Sequence, residues 1–272
     1  MTELILIRGG GDLASGVAMR LHRAGMKVVI AELPQPLAVR RAVSFAEAVY
    51  AGQITVEEIT ARLVPPEKIK ETLAQNEIPV VIDPQADLLL REELPWAVVV
   101  DGRMRKAPPE PLPRPVSLHI GLGPGFHAGR DCHAVVETNR SHTLGRVYWN
   151  GEPQADSRLP EGDPRRVLRA SRQGTFIGYA KIGQHVEGGE IVAEVDGETI
   201  RAPFAGVIRG LLRSGLVVSP GMKIGDVDPR DQPAYCFLVS DKSLAIGGGV
   251  LEAILSRPEI RRRLWDDPCN EG

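Results

Sequence analysis

The chain is poor in cysteine and in aromatic side chains, and it carries almost no net charge. Its three cysteines, Cys132, Cys236 and Cys269, are unevenly spaced and include no C-x-x-C pair. That argues against a disulfide framework and for a reducing, cytoplasmic setting. Aromatic residues make up 4% of the chain, too few for the stacking platform of a single-stranded nucleic-acid binder. The 33 basic side chains nearly cancel the 35 acidic ones, so no overall field draws the protein to nucleic acid or to an anionic membrane. No apolar run approaches the roughly 20 residues of a spanning helix. The N-terminus enters a strand directly, without the basic segment, apolar core and cleavage site of a secretory signal. Neither nucleic acid nor membrane is expected as a partner.

What is present begins at residue 4. Leu4 to Arg8 is apolar and short enough for a buried strand, and Gly9, Gly10, Gly11 and Ala14 then spell G-x-G-x-x-A. Val17, Leu21 and Ala24 follow at helical spacing, Gly25 stops the helix, and Lys27 to Ala31 reads as a second strand ending at Glu32. Glycines in such a turn let a phosphate approach the backbone, and the helix N-terminus offers free N–H groups with about half a positive charge. An acid about 20 residues further on is placed to bond a ribose hydroxyl. This predicts a Rossmann-type unit with a nucleotide at the turn; a tight strand-to-helix turn without ligand is the plain alternative.

Downstream, Val56 to Leu63 and Glu67 to Ala74 carry helical spacing, separated by Pro65 and Pro66. Val80 to Asp83, Ala97 to Asp101, Val116 to Ile120 and Ala134 to Glu137 read as strands. Five prolines between Ala107 and Pro115 mark a crossover or link. Residues 169–195 align without gaps on residues 201–227, a shift of 32 positions, with glycine matches at 174/206, 178/210, 183/215 and 189/221. Two such units resemble the quasi-twofold barrel-sandwich of biotinyl and lipoyl domains. Their carrier lysine is missing, because the joint from Asp196 to Ile200 contains none. Tyr235 to Ser240 then reads as a strand and Asp241 to Leu255 as a helix. Its triplet Gly247-Gly248-Gly249 implies close packing or a ligand near the backbone, since glycine costs about 1 kcal/mol per residue in a helix. The expected fold is therefore α/β, a Rossmann-like open sheet plus a small all-β barrel-sandwich hybrid domain. Its parts are a nucleotide-binding body over 1–150, a barrel-sandwich module over 165–232, and a strand and helix over 233–264 packing back on the body.

A second informative stretch runs from His119 to His142. Gly121, Gly123 and Gly125 end a strand and can expose consecutive N–H groups as an anion nest. If that strand neighbours the first, both glycine loops face one crevice at the carboxyl edge of the sheet. Arg140 can then bond a phosphate or carboxylate bidentately, with Glu137 or His142 as a base; the structural alternative is a Glu137–Arg140 ion pair. Four histidines and Cys132 fall here without metal-ligand spacing, so no metal is assigned. Cys132 is either a nucleophile activated by neighbouring His133 and Arg130 or a small buried apolar residue.

G-G-G-D-L-A-S-G at Gly9 to Gly16 and the run from Gln35 to Val49 occur together with G-L-G-P-G-F at Gly121 to Phe126. D-C-H-A-V-V-E-T-N-R-S-H at Asp131 to His142 and S-D-K-S-L-A-I-G-G-G-V-L-E-A-I-L at Ser240 to Leu255 complete the set. Over nearly its whole length the chain resembles the accessory proteins of the selenium-dependent molybdenum hydroxylase system (the YqeB type). Ser141 stands where that pattern has glycine. The resemblance implies a cytoplasmic maturation factor acting on a molybdenum hydroxylase subunit or its dinucleotide-form pterin cofactor, and kinship with the Rossmann domain of xanthine dehydrogenase maturation proteins. On this reading Gly9, Gly11 and Asp12 hold the diphosphate of a nucleotide or molybdopterin dinucleotide, and Glu32 touches a ribose. Gly123, Gly125 and Arg140 hold a second anionic group, and Cys132 delivers sulfur or selenium. Two rivals share the residues, an NAD-dependent oxidoreductase and a non-catalytic adaptor or chaperone. Self-association is left open.

Overall fold

A computed structural model describes residues 3–91, 94–105, 107–156 and 162–264. The body is built from β1 (Leu4–Arg8), α1 (Asp12–Arg23), β2 (Lys27–Glu32), α2 (Ala48–Ala51), β3 (Gln53–Val56), β4 (Ile59–Leu63) and α3 (Ile69–Ala74). It continues through β5 (Ile78–Ile82), α4 (Asp87–Arg91), β6 (Trp96–Asp101), β7 (Leu118–Leu122), β8 (Ala134–Val136) and β9 (Val147–Tyr148). These strands form one nine-stranded sheet in the order β3-β4-β5-β2-β1-β6-β7-β8-β9. The seven inner strands are parallel, while β3 and β9 run antiparallel at the two edges.

Buried on both faces, the central strands need apolar residues throughout, and all five side chains of β1 are buried. Alternation sends Ile5 and Ile7 into one core and Leu4 and Leu6 into the other. The first core lies under α1 and a long C-terminal helix, α5 (Asp241–Leu255), which is followed by α6 (Pro258–Arg261). A Cβ on Gly16 of α1 would come 2.6 Å from Ser243 Cβ, and one on Gly247 would come 2.8 Å from the Gly16 carbonyl and Arg20 Cγ. Gly16 thus opposes Ser243 and Arg20 opposes Gly247, so the two helices run side by side in the same direction. Gly249 abuts the Gly145 carbonyl, whereas a Cβ on Gly248 would meet nothing within 4 Å. The glycine triplet is a close-packing device.

The C-terminal half contributes β10 (Val167–Arg169), β11 (Gly174–Gly178), β12 (His185–Val186), β13 (Ile191–Val195), β14 (Glu198–Arg201), β15 (Gly206–Leu211), β16 (Val217–Val218) and β17 (Lys223–Asp228). They form two four-stranded antiparallel sheets, β10-β17-β15-β12 and β14-β13-β11-β16, around a common apolar core. Each sheet takes two strands from each 32-residue repeat. The joint between repeats is a two-residue hairpin turn at Asp196-Gly197, both with positive φ, as a type I′ turn requires.

Three expectations need correction. The predicted combination of a Rossmann-like open sheet and a discrete barrel-sandwich module is not the architecture found. The body is one large mixed sheet, with an antiparallel hairpin on one edge and an antiparallel strand on the other. Among the described residues, no helix connects β6 to β7 or β7 to β8. The two smaller sheets are tied into this body: the Leu211 N–H donates to the Val39 carbonyl at 2.9 Å, and Arg41 Nε donates to the Leu211 carbonyl at 2.9 Å. Second, residues 56–63 form the β3–β4 turn and strand, not a helix. Val56, Ile59 and Leu63 have helical spacing, but Ile54, Thr55, Val56, Ile59 and Thr60 are β-branched, and β4 gains a partner in β5. Third, Tyr235 to Ser240 is not a strand. Pro233–Cys236 makes a 3₁₀ turn against β15, and Phe237 and Leu238 remain half-exposed.

Candidate functional site

Because β1, β6, β7 and β8 are parallel, the loops that follow them emerge on one edge of the sheet. Two strand spacings of about 4.8 Å separate β1 from β7, so the two glycine loops are neighbours. α1 and α5 direct their N-termini to the same edge. The chain leaves β1 for β2 on one side and returns to β6 on the other, the kind of reversal where open α/β sheets receive ligands.

The first loop is held from within. Glu32 is buried, and its carboxylate accepts from the Gly10 N–H at 2.7 Å and from the Leu33 N–H. Burial raises its pKa, and the two N–H donors oppose that rise. Both oxygens thus serve the loop. Gly9, at φ +89°, is covered by Arg103, whose Cα would lie 3.3 Å from an added Cβ, and Gly10 is covered by Ala46 at 2.9 Å. Gly11 alone is open, with no atom within 4 Å of an added Cβ. It caps α1 without a side-chain hydrogen bond to the first turn. Asp12, in that first turn, faces Arg40 at 3.4 Å.

Between the two loops lies a buried charge network. Arg8 Nη1 donates to Asp101 at 3.0 Å and Nη2 to the Gln85 carbonyl at 3.0 Å. Arg103 grips the same carboxylate and also reaches Glu110 at 3.2 Å. His119 lies on this face of the sheet, 5% exposed, with Nε2 unpartnered among the described residues and its ring edge-on to Phe126. Burial lowers its pKa to about 4. The second loop is packed rather than open: Gly121 lies against the Phe126 ring, Gly123 against Thr138, and an added Cβ on Gly125 would be 2.7 Å from the Ala107 carbonyl. The two loops share an edge, but residues 102–105 and 107 stand between them.

The remaining predicted residues divide by environment. Cys132 is buried with Phe126, Ala128 and Val135, and its thiol donates to the Ala134 carbonyl at 3.2 Å. Burial pushes the thiol up to about 11. Glu137 is fully buried, and its two oxygens accept from the Asn139 and Gln154 N–H groups, each at 2.7 Å. Arg140 pairs with Asp241 at the start of α5 through two bonds of 2.6 Å, not with Glu137. His142 is exposed, at a polar recess shared with Thr143, Arg146 and Glu252. Among the described residues no group of three or more histidine, cysteine, aspartate or glutamate side chains is placed to hold a metal ion. No described helix is long and apolar enough to cross a membrane.

Two arginines that sequence reasoning passed over lie where the repeat sheets meet the body, and one of them, Arg40, reaches the first turn of α1. Arg40 is 9% exposed and reaches Asp12 at 3.4 Å and the Leu238 carbonyl at 3.3 Å, so it sits between the starts of α1 and α5. Among the described residues, Arg209 on β15 comes no nearer to an acid than 3.8 Å, at Asp228. Arg40 belongs to the quoted run from Gln35 to Val49 and Arg209 to the repeat. Only the packing of the smaller sheets against residues 39–41 brings them together.

The chain is an α/β protein that brings the open N-terminus of α1 and the buried Arg40 to one edge of its main sheet. The chain is 45% identical to the uncharacterized protein YqeB of Escherichia coli (strain K12) over 258 residues, covering 93% of this chain and 47% of that protein. The chain spans about half the length of that relative. No family model matches. Solved structures overlap it only loosely. An aspartoacylase family protein of Mesorhizobium loti covers 84% of this chain and 85% of its own at 14% identity and a TM-score of 0.27. A succinylglutamate desuccinylase of Silicibacter sp. TM1040 covers 83% and 84% at 14% identity and a TM-score of 0.24.

Proposed function

We propose that the chain is an accessory protein for maturation of a selenium-dependent molybdenum hydroxylase, and that it binds a nucleotide or the dinucleotide form of the molybdenum cofactor at Gly11. The pathway comes from the kinship with YqeB-type sequences. The ligand class comes from one observation: of the three glycines in the first loop, Gly11 alone opens to unobstructed space at the start of a 12-residue helix. Backbone N–H groups of the first turn have no partner within the helix and favour an anion. Glu32 has a loop-holding part in this reading, because its oxygens already carry two N–H bonds. Cys132 has no part in it, since a buried thiol with its proton held to about 11 is a poor nucleophile.

The test is to release small molecules from freshly purified protein, identify them by mass spectrometry, and titrate the recovered class back by calorimetry. A molybdopterin dinucleotide or other nucleotide is expected, and Gly11→Val should abolish its binding while leaving the unfolding midpoint within about 1 kcal/mol of the parent. Failure to recover or bind any nucleotide would overturn the reading.

A further inference from the structure

We propose that Arg40 and Arg209 clasp the phosphates of a diphosphate group at the seam between the main sheet and the repeat sheets. This deepens the reading above, on which the identity of the rest of the ligand depends. The two guanidiniums are oddly placed for structural residues. Arg40 is nine-tenths buried, yet its two outer nitrogens make only long contacts, 3.4 Å to Asp12 and 3.3 Å to the Leu238 carbonyl, and its Nε has no partner among the described residues. Arg209 is largely buried, its Nε is likewise unpartnered, and its contact with Asp228 spans 3.8 Å. Burial, and next the like charge of Arg40, lower its pKa. A buried donor left without an acceptor is costly, and two neighbouring cations add to the cost.

The acids that would ordinarily relieve them are engaged elsewhere. Asp228 is gripped by Arg230 at 2.6 Å, Asp226 by Arg166 at 2.8 Å and Lys223 at 2.9 Å, and Asp241 by Arg140 at 2.6 Å. Asp12, the remaining acid, offers one long contact and stands on the first turn of α1, where an incoming phosphate would lie. Positive charge is thus in excess beside the open end of α1. A diphosphate carries enough oxygens to reach both forks and the helix N–H groups at once. Phe237 and Leu238, half-exposed beside Arg40, supply an apolar surface for whatever the diphosphate carries. Asp12 then acts as an internal stand-in for the ligand, displaced when the anion arrives.

Calorimetric titration of the full chain with inorganic pyrophosphate and with CDP tests this, alongside Arg40→Gln, Arg209→Gln and Asp12→Asn variants whose folding is checked by thermal unfolding. Each arginine variant should weaken binding of both probes at least about tenfold, and Asp12→Asn should tighten it. Arg209→Gln carries the test alone should the more buried Arg40→Gln unfold. Undiminished binding by a folded Arg209→Gln protein would overturn the clasp and leave the nucleotide reading intact. Arginine-dependent pyrophosphate binding with no added affinity for CDP or any recovered nucleotide would uphold the clasp and sink that reading. No binding of either probe would overturn the clasp, and the nucleotide reading would then rest on the recovered small molecules alone.

Discussion

At the scale of single residues, burial decides which ionisable groups can do chemistry. His119 stays neutral in the folded protein until about pH 4, whereas its unfolded imidazole protonates near 6.5. The unfolded chain therefore takes up a proton first, and stability should fall as the pH drops from 6.5 toward 4, by about 3 kcal/mol in all. His119→Gln should flatten that limb of a urea-midpoint profile and leave the profile above pH 7 unchanged. Cys132 should resist iodoacetamide at neutral pH in the folded protein, as mapped by peptide mass spectrometry, and Cys132→Ser should leave ligand binding unaltered. Little of this was legible beforehand. The sequence places Glu32, Cys132, Glu137 and Arg140 near glycine turns. It does not say that Glu32 and Glu137 spend their oxygens on nearby N–H groups, or that Arg140 finds Asp241 a hundred residues away.

Among the elements, α1 and α5 set the geometry of the edge, and their glycines make the approach possible. Adding a methyl at Gly16 or Gly249 forces backbone apart, which should cost about 1–3 kcal/mol or more. Gly248→Ala, in the same triplet, meets nothing and should stabilise by up to about 1 kcal/mol. Chemical denaturation of the three variants separates the outcomes, and equal effects would refute the packing argument. Strong local signals survived into the structure: the strand, glycine turn, helix and strand of residues 4–32, the Asp-Gly joint and the 32-residue repeat all appear where their patterns lie. The β3–β4 hairpin did not, because β-branched residues at helical spacing are resolved by the neighbouring strand rather than by the local sequence. The segment from Pro233 is apolar enough for a strand, but it turns as a 3₁₀ helix opened by Pro233.

For the whole molecule, the seam at Val39 and Gly210 matters most. A Cβ on Gly210 would come 2.9 Å from the Val39 carbonyl, Arg213 bonds Glu47 at 2.5 Å, and the Arg213 guanidinium lies 4.6 Å from the Tyr50 ring centre. The two cores should therefore melt together, with far- and near-ultraviolet circular dichroism coinciding. Gly210→Val should pry the seam and separate the transitions; coincident curves in that variant would show that the coupling lies elsewhere. The interlacing of the repeats has its own consequence. Each 32-residue half donates two strands to either sheet, and only one ladder per half, β11–β13 in the first and β15–β17 in the second, is completed without the other half. Cut free, one half would present raw edges to solvent and would find its natural complement in its twin. The Asp196-Gly197 bend keeps that pairing within a single chain by fusing the two halves.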